Sequence, residues 1–164
     1  MKPSKNTTNP ANNAATSAAT RSAALHTVRP ATPADAAAVQ TIFERALLDA
    51  DWLPAGAAPD TDFQRNSQGE AVFVAVAPDG HISGVLAVYV AGAFIHHFYV
   101  AAAAQRQGVG RALLQSLDTW LPRPWRLKCV TVNTRALAFY VSQGWTETER
   151  AMGSQGEYVV LRRF

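Results

Sequence analysis

The chain has 164 residues, 48% of them hydrophobic, which is enough for one well-buried domain and short for two. Its formal net charge of +3 is too mild to indicate nucleic-acid binding, and its Lys and Arg residues do not cluster with interleaved aromatic residues. The single cysteine, Cys129, excludes an internal disulfide and a cysteine-based metal cluster. Neither an apolar run of about 20 residues nor a secretory signal is visible. We therefore expect a cytoplasmic protein that binds neither nucleic acid nor membrane.

The first 26 residues consist mainly of Ala, Asn, Thr and Ser, with almost no large apolar side chain. Such a segment cannot bury enough surface to offset the entropy of ordering it. The sequence therefore predicts a disordered tail over residues 1–26 and one domain over residues 27–164.

The domain is predicted to begin with a short strand at Thr27–Pro30 and a helix that starts after Thr32. Thr32 suits the N-cap, Pro33 suits the first helical position, and Asp35 lies in the first turn, where acidic residues are favoured. Helical spacing gives this segment one apolar face, formed by Val39, Ile42, Phe43, Ala46 and Leu47. We expect the helix to end near Asp49.

A long segment rich in proline, glycine and acidic residues follows, from Asp51 to Gly69. It has room for a short helix between residues 60 and 66. Loops of this length in compact domains are often functional. Its acidic residues and the neighbouring Asp49 would either attract a cationic substrate or lie solvated at the surface; they are Asp49, Asp51, Asp60 and Asp62.

The remaining pattern predicts six strands and two helices. Apolar runs indicate an antiparallel hairpin at 71–77 and 82–90, a third strand at 94–100 and a fourth at 127–132. The segment from Gln105 to Gly110 opens into one helix, with Ala112, Leu113, Leu114 and Leu117 on one side, and another helix runs from an Asn133 cap to Gly144. A hairpin at 145–150 and 158–162, joined by a loop at 151–156, ends the chain. The element order predicts a mixed α/β fold with a mostly antiparallel sheet of six or seven strands, in which the strands at 94–100 and 127–132 form a splayed parallel pair.

The joint between the third strand of this region and its helix has the chemistry of an anion site. Glycines at Gly108 and Gly110 would let a diphosphate approach the free N–H groups of the helix start, with Arg106 and Arg111 beside it. The pattern lacks the Gly-Lys-Ser/Thr ending of a P-loop and the third glycine of a dinucleotide-binding turn. A simple glycine connection between two elements is the alternative interpretation.

Two blocks of this sequence together resemble the GNAT N-acetyltransferase superfamily. The first is Val100-x-x-x-x-Gln105-x-x-Gly108-x-Gly110, similar to that family's pyrophosphate loop. The second is NTRALAFYVSQGW, from Asn133 to Trp145, similar to its Asn…Ala…Tyr…Gly helix. The resemblance covers roughly residues 28–163 and implies an N-acetyltransferase that moves an acetyl group from acetyl-coenzyme A (acetyl-CoA) to an amine.

The resemblance also implies roles for individual residues. The loop would bind the coenzyme diphosphate through Gln105, Arg106, Gln107, Gly108, Val109, Gly110 and Arg111. The strand residues Phe98, Tyr99 and Val100 would expose backbone to the pantetheine amides. Asn133 and Phe139 would contact the coenzyme, and Asn133 would also suit a helix cap. Tyr140 would protonate the leaving thiolate as general acid.

The general base is less directly indicated. Family members that acetylate protein N-termini often carry a glutamate at the position of Lys128, so this sequence departs from that subgroup. His96 and His97 lie on the strand before the loop, and histidine is a residue type that can accept a proton from an ammonium substrate. Because side chains alternate along a strand, we expect only one to face the cleft; His96 shares parity with Phe98 and is favoured, whereas His97 would pack under a helix. Either histidine would equally suit a structural role.

We accordingly expect acetyl-CoA as co-substrate, an amine acceptor and no metal. A paired-histidine metal site is disfavoured because strand neighbours point apart and no third ligand is evident. The alternative function is a catalytically weak acyl-CoA-binding regulatory domain. A homodimer is compatible with an exposed terminal strand.

Overall fold

The computed structural model of the protein describes residues 26–164, so the predicted tail, apart from His26, lies outside the described residues. None of the helices in this part of the chain combines the length and apolar character needed to cross a membrane.

The domain is built on one seven-stranded sheet, with strand order β1-β2-β3-β4-β5-β7-β6. Its strands are β1 (Thr27–Pro30), β2 (Ala71–Val76), β3 (Ile82–Tyr89), β4 (Phe94–Val100), β5 (Trp125–Val130), β6 (Thr146–Gly153) and β7 (Gly156–Arg163). Every neighbouring pair is antiparallel except β4 and β5, which are parallel. The predicted mixed α/β fold with one parallel pair is confirmed.

Four α-helices cover the two faces of the sheet: α1 (Ala36–Leu48), α2 (Phe63–Asn66), α3 (Val109–Ser116) and α4 (Thr134–Ser142). The predicted apolar stripe of α1 is buried at Val39, Ile42, Phe43 and Leu47. These residues pack with Phe63 of α2 against β2, β3 and β4, and we call this the α1 face. The opposite, α3 face carries α3, α4 and the apolar residues of β5 and β7.

The entry to α1 is fixed by an ion pair between a partly exposed arginine and a buried carboxylate. A 3₁₀ turn at Pro33–Asp35 precedes the helix. The Asp35 carboxylate accepts two hydrogen bonds from the Arg29 guanidinium, at 2.7 and 2.9 Å, and a third from the backbone N–H of Thr32 at 2.7 Å. These bonds hold the pKa of Asp35 far below its usual range. The predicted helix start after Thr32 is thus stabilised by the Asp35 carboxylate, whose hydrogen bonds link β1 to α1.

The C-terminal hairpin differs from its prediction in two ways. The expected loop at 151–156 is a tight turn, because β6 continues to Gly153 and that residue pairs with Gly156. The terminal strand β7 is also not at the sheet edge, since it lies between β5 and β6. A second copy could therefore pair with the edge strand β6 but not with β7, contrary to the expected route to a homodimer.

Candidate functional site

The two parallel strands at the centre of the sheet separate soon after they meet. β4 and β5 pair only at Phe94 with Arg126 and at Ile95 with Leu127. Beyond these positions β4 continues to pair with β3, so its other backbone edge faces a gap. Phe98, Tyr99 and Val100, the residues predicted to expose backbone to a ligand, border this gap. The Val100 carbonyl already accepts a hydrogen bond of 3.3 Å from the Gln105 side chain.

The gap leads to a tight turn at the start of α3. A 3₁₀ turn at Ala102–Ala104 is followed by Arg106 and Gly108, which both adopt left-handed backbone conformations with φ of 62° and 83°. Gly108 is the N-cap of α3, where this conformation favours glycine. The exposed Arg106 and Arg111 flank the first N–H groups of the helix, whereas Val109 is buried in the core. The expected helix-start geometry for an anion is present.

Aromatic packing is a second reason for glycine at position 110, in addition to the access that it gives a ligand to the backbone. A Cβ on Gly110 would lie 3.2 Å from Phe98 Cζ and 3.3 Å from Phe139 Cζ, so a side chain there would press on both rings. Phe98 and Phe139 stack with ring centroids 5.9 Å apart. Gly110 thus lets α3 approach the strand and helix that border the gap.

Side-chain contacts join the turn to α4. Arg135 of α4 donates a short hydrogen bond to Gln105 Oε1. Gln107 folds back on the turn and donates to the Ala103 carbonyl at 2.8 Å. Asn133 caps α4, with its Oδ1 accepting from the Ala136 N–H at 3.1 Å. Arg135 was not singled out from the sequence, because an exposed arginine in a helix carries no local sign of its partner.

Tyr140 of α4 is buried in the apolar core of the α3 face. It is 8% exposed, and its ring lies near those of Phe98, Phe139 and Trp145. Burial raises the pKa of the Tyr140 hydroxyl well above its usual value of 10. Cys129, also buried, has its thiol pKa raised by burial to about 11, in keeping with a packing role. A phenol in this setting stays protonated at neutral pH and can donate a hydrogen bond.

The side-chain alternation expected for the two histidines fails at a bulge. On β3, Ala87 pairs with His97 but Val88 pairs with Ile95, so His96 has no partner of its own. His96 is therefore turned toward the ring of His97, with centroids 4.1 Å apart. The predicted shared parity of His96 with Phe98 is wrong: both histidines lie on the α1 face.

The bulge brings both histidines to Glu70, which lies just before β2. The Nδ1 atom of His96 is 2.6 Å from Glu70 Oε1, and the Glu70 side chain is only 8% exposed, whereas that of His96 is 49% exposed. Glu70 Oε2 is buried without a hydrogen-bond partner. One ligand-type atom from each of Glu70, His96 and His97 lies within 4.8 Å of the others. The argument against a metal here, that strand neighbours point apart, does not hold; the cluster can bind a proton or a cation.

His97 occupies a more enclosed position than His96, as expected. It is 6% exposed and lies against Phe43 and Phe63 of the two helices on this face. Its Nε2 is 3.3 Å from the Asn66 carbonyl, which can only accept, so this nitrogen carries the proton. Its Nδ1 is buried without a partner. Burial lowers the pKa of His97, with a further contribution from His96. The neighbouring Tyr99 has its pKa raised by burial to about 12.

Glu70 was missed from the sequence because it has no motif around it. Its proximity to His96 depends on strand order, since β3 separates β2 from β4. The acidic loop residues, in contrast, serve local structure: Asp60 accepts two hydrogen bonds from Arg65, and Asp62 caps α2. These two carboxylates are engaged within the loop, which weakens the idea that they attract a cationic substrate.

Known proteins share both the family signature and the fold. The acetyltransferase (GNAT) family model matches residues 38–145. A GCN5-related N-acetyltransferase from Kribbella flavida is 25% identical with a TM-score of 0.67, over 85% of this chain and 98% of that one. Salmonella typhimurium yncA, solved with its cofactor acetyl-CoA, is 22% identical with a TM-score of 0.64, over 85% and 93% of the two chains.

A third solved structure has the same fold at lower identity. It is a phosphinothricin acetyltransferase from Sinorhizobium meliloti in complex with acetyl-CoA, 17% identical with a TM-score of 0.65, over 85% of this chain and 88% of that one. No curated protein sequence matches the chain. The family match spans more than half of the sequence and includes the divergent strands, the turn and all of α4. The chain therefore belongs to the acetyltransferase (GNAT) family.

Proposed function

We propose that this protein transfers the acetyl group of acetyl-CoA to a primary amine of a small molecule or protein. The observation that carries the proposal is the gap beyond Ile95 and Leu127, which leads directly to the Gly108 turn. Unpaired strand backbone offers hydrogen bonds to the amides of a pantetheine arm. The free N–H groups of α3 suit the diphosphate at the other end of that arm.

The arrangement supports a role for each predicted coenzyme contact. The backbone of Phe98, Tyr99 and Val100 would bind pantetheine, and the turn from Gln105 to Arg111 would bind the diphosphate. Arg135 supports the turn through Gln105. Asn133 keeps its capping bond while its amide nitrogen remains a donor for the coenzyme. Phe139 would contact the arm with the ring face that Phe98 leaves uncovered.

The reaction we propose is a direct attack by the amine. Its nitrogen lone pair forms a C–N bond with the thioester carbonyl carbon, giving a tetrahedral intermediate. The C–S bond then breaks, and the sulfur leaves with the electron pair. Tyr140, on the α3 face, donates its proton to the sulfur, while the nitrogen gives up its proton on the α1 face. The gap passes through the sheet, so groups on both faces have access to the reacting atoms.

His96 is the group we propose as proton acceptor. It is exposed, and Glu70 fixes its Nδ1 side, which leaves Nε2 toward solvent. A carboxylate in this position also stabilises the imidazolium that forms. His97 is the second candidate, through its unpartnered Nδ1, but burial disfavours its charged form. Acid and base would then act from opposite faces of the sheet.

The test is release of free coenzyme thiol from acetyl-CoA in the presence of polyamines, aminoglycosides, amino acids and peptides. We expect amine-dependent thiol release and an acetylated product detected by mass spectrometry. Reactions without amine are the control for thioester hydrolysis. Tight binding of acetyl-CoA without turnover on any amine would instead support the alternative, an acyl-CoA-binding regulatory domain.

A further inference from the structure

An open cavity of about 330 Å³ lies on the α1 face, beside the point where β4 and β5 separate. Among the described residues, the apolar cluster of this face draws on β2, β3 and β4 and includes nothing from β5, β6 or β7. The sheet surface next to the histidines is therefore left uncovered. We call this site the basic cavity; the lining residues that matter are Phe94, Arg126, Lys128, Glu149, Tyr158 and Arg162.

The charge of the basic cavity is unbalanced. It contains three cationic side chains and one carboxylate, that of Glu149. Some arginines elsewhere in the described chain are neutralised by neighbours: Arg65 pairs with Asp60, and Arg150 with Glu147 and Glu157. The ion pairs of residues 26–164 include none to the three cations of the cavity. An anion entering here would meet uncompensated positive charge.

Two of the three cations contact partners within the protein. Arg126 donates to the Gly92 carbonyl through Nε and Nη2, at 3.3 and 3.0 Å. The Lys128 ammonium lies 4.7 Å from the centre of the Tyr158 ring. Arg162 pairs with Arg126 across β5 and β7, and its Nε is buried without a hydrogen-bond partner. A buried unsatisfied donor beside a second guanidinium is suited to an oxyanion.

The basic cavity lies close to the β4–β5 gap and to His96. Arg126 pairs with Phe94 at the first of the two β4–β5 pairs, and Lys128 follows Leu127, the last residue of β5 that pairs with β4. The Phe94 ring is 6.3 Å from that of His96. The cavity therefore begins next to the proposed proton acceptor, on the face from which the amine would approach.

We infer that the basic cavity binds an anionic group of the acceptor, so that the acceptor is a small amine that also carries a carboxylate, phosphonate or phosphate. The inference rests on the proposed acetyl transfer and adds the substrate class. Arg126 and Arg162 bind the oxyanion, Lys128 adds positive charge at the rim, and the amine extends past Phe94 toward His96. The coenzyme's own phosphates belong to the α3 turn, on the other side of the gap.

The first experiment compares matched acceptors in the thiol-release assay. Glycine is paired with glycinamide, and 3-aminopropylphosphonate with 3-aminopropanol. We expect kcat/KM at least about tenfold higher for the anionic member of each pair, and a loss of this preference at high salt because the contacts are ionic. Equal rates for the two members of each pair would overturn the inference and leave the acetyl transfer intact.

Variants then locate the anion site. Arg162→Gln and Lys128→Gln should each raise KM for the anionic acceptor, by about tenfold or more for Arg162→Gln, with little change in KM for acetyl-CoA. Because Lys128 is exposed, Lys128→Gln should fold normally, so a raised KM in this variant reports the lost charge and not a folding defect. The matched control is Arg150→Gln, an exposed arginine of the same hairpin outside the cavity, which should behave as wild type. Equal effects of Arg150→Gln and Arg162→Gln would contradict the assignment.

A binding measurement separates this inference from the proposed function. Inorganic phosphate is titrated into ¹⁵N-labelled protein with coenzyme A bound, and the Arg126 and Arg162 Nε–H resonances are followed by NMR. We expect phosphate to shift both resonances saturably in wild type. In Arg162→Gln only the Arg126 resonance remains, and we expect phosphate not to shift it. If phosphate shifts these resonances but the protein acetylates no amine, the anion site stands and the proposed function is wrong. If phosphate shifts neither resonance, the anion site is wrong, whether or not the protein acetylates amines.

Discussion

The environment of Tyr140 suits a hydrogen-bond donor to a leaving sulfur. Its ring is fixed among Phe98, Phe139 and Trp145, and burial keeps its pKa above 10, so the hydroxyl holds its proton over the working pH range. In the proposed reaction the fixed ring would hold the donor in position, and proton donation to the developing charge would lower the barrier.

Replacing Tyr140 with Phe tests this role directly. We expect kcat to fall by about 100-fold, within the usual range for loss of a general acid, because the ring remains but the proton donor is gone. KM for acetyl-CoA should change little. Tyr89→Phe is the matched control, since Tyr89 is exposed at the end of β3. Steady-state kinetics with full turnover for Tyr140→Phe would exclude Tyr140 as the acid.

The His96 and Glu70 pair makes a second residue-level prediction. His96→Gln should lower kcat/KM by about 100-fold, and Glu70→Gln should lower it less because the hydrogen bond to Nδ1 is retained without the charge. The measurement is kcat/KM against pH for each protein. His81→Gln, at an exposed site in the β2–β3 turn, is the control. A pH–rate profile unaltered by His96→Gln would remove His96 from the mechanism.

The sequence identifies a site residue when its neighbours in the fold are also its neighbours along the chain. Tyr140 and Asn133 lie in a motif whose spacing is fixed by one helix, so their neighbourhood is predictable. The orientation of His96 is not, because a bulge in β4 interrupts the period of two on which the prediction relied. Glu70 and Arg162 join their sites only through strand order, which no local pattern records.

At the scale of elements, the Arg29–Asp35 pair connects β1 to α1. Asp35→Asn should lower the free energy of unfolding by about 2 kcal/mol, because three hydrogen bonds to a buried carboxylate weaken. Arg29 is partly exposed, so solvent screening keeps the loss below that of a fully buried pair. The measurement is urea unfolding at pH 7, and Asp51→Asn, at an exposed loop position, should change stability by less than about 0.5 kcal/mol.

The pH dependence of this contribution has a definite sign. Asp35 has a lower pKa in the folded state than its ordinary 3.8, so the unfolded chain binds a proton first as pH falls. The stabilisation is complete above pH 4 and is lost at lower pH. The difference between wild type and Asp35→Asn should therefore shrink in strong acid; a constant difference down to pH 2 would contradict the ion pair.

Most elements were predictable because their apolar periodicity matches their final environment. The α1 stripe matches a helix with one buried face, and the continuous apolar runs of β2 and β3 match strands that are covered on both faces. The final hairpin is the exception. Along β6 nearly every residue is exposed, so hydrophobic pattern gives no end point for the strand, and its continuation to Gly153 depends on pairing with β7.

For the whole molecule, the buried histidine predicts a loss of stability in mild acid. The pKa of His97 is lowered from 6.5 in the folded state, so below about pH 6.5 the unfolded chain binds more protons. The free energy of unfolding should fall with decreasing pH, at up to about 1.4 kcal/mol per pH unit from this group.

Urea unfolding of wild type and His97→Phe between pH 5 and pH 8 measures this effect. His97→Phe should show a shallower decline in stability over this range, because phenylalanine binds no proton. His81→Gln, at an exposed histidine, is the matched control variant. Parallel curves for wild type and His97→Phe would show that His97 does not remain neutral in the fold.

The short β4–β5 pairing has a consequence for the way the domain opens. Strands β5, β7 and β6 are joined to the rest of the sheet by pairing at only two positions, although the α3 face packs across the division. Without coenzyme, the amides of β5 and β7 should therefore exchange with solvent through a partial opening that leaves β2 and β3 protected.

A pantetheine arm in the gap would act as a substitute strand and unite the two halves. Hydrogen exchange followed by mass spectrometry should show acetyl-CoA slowing exchange across β5 and β7 more than across β2 and β3. Uniform slowing would mean that the halves already open together. On this view the coenzyme completes the cooperative unit of the protein as well as supplying its acetyl group.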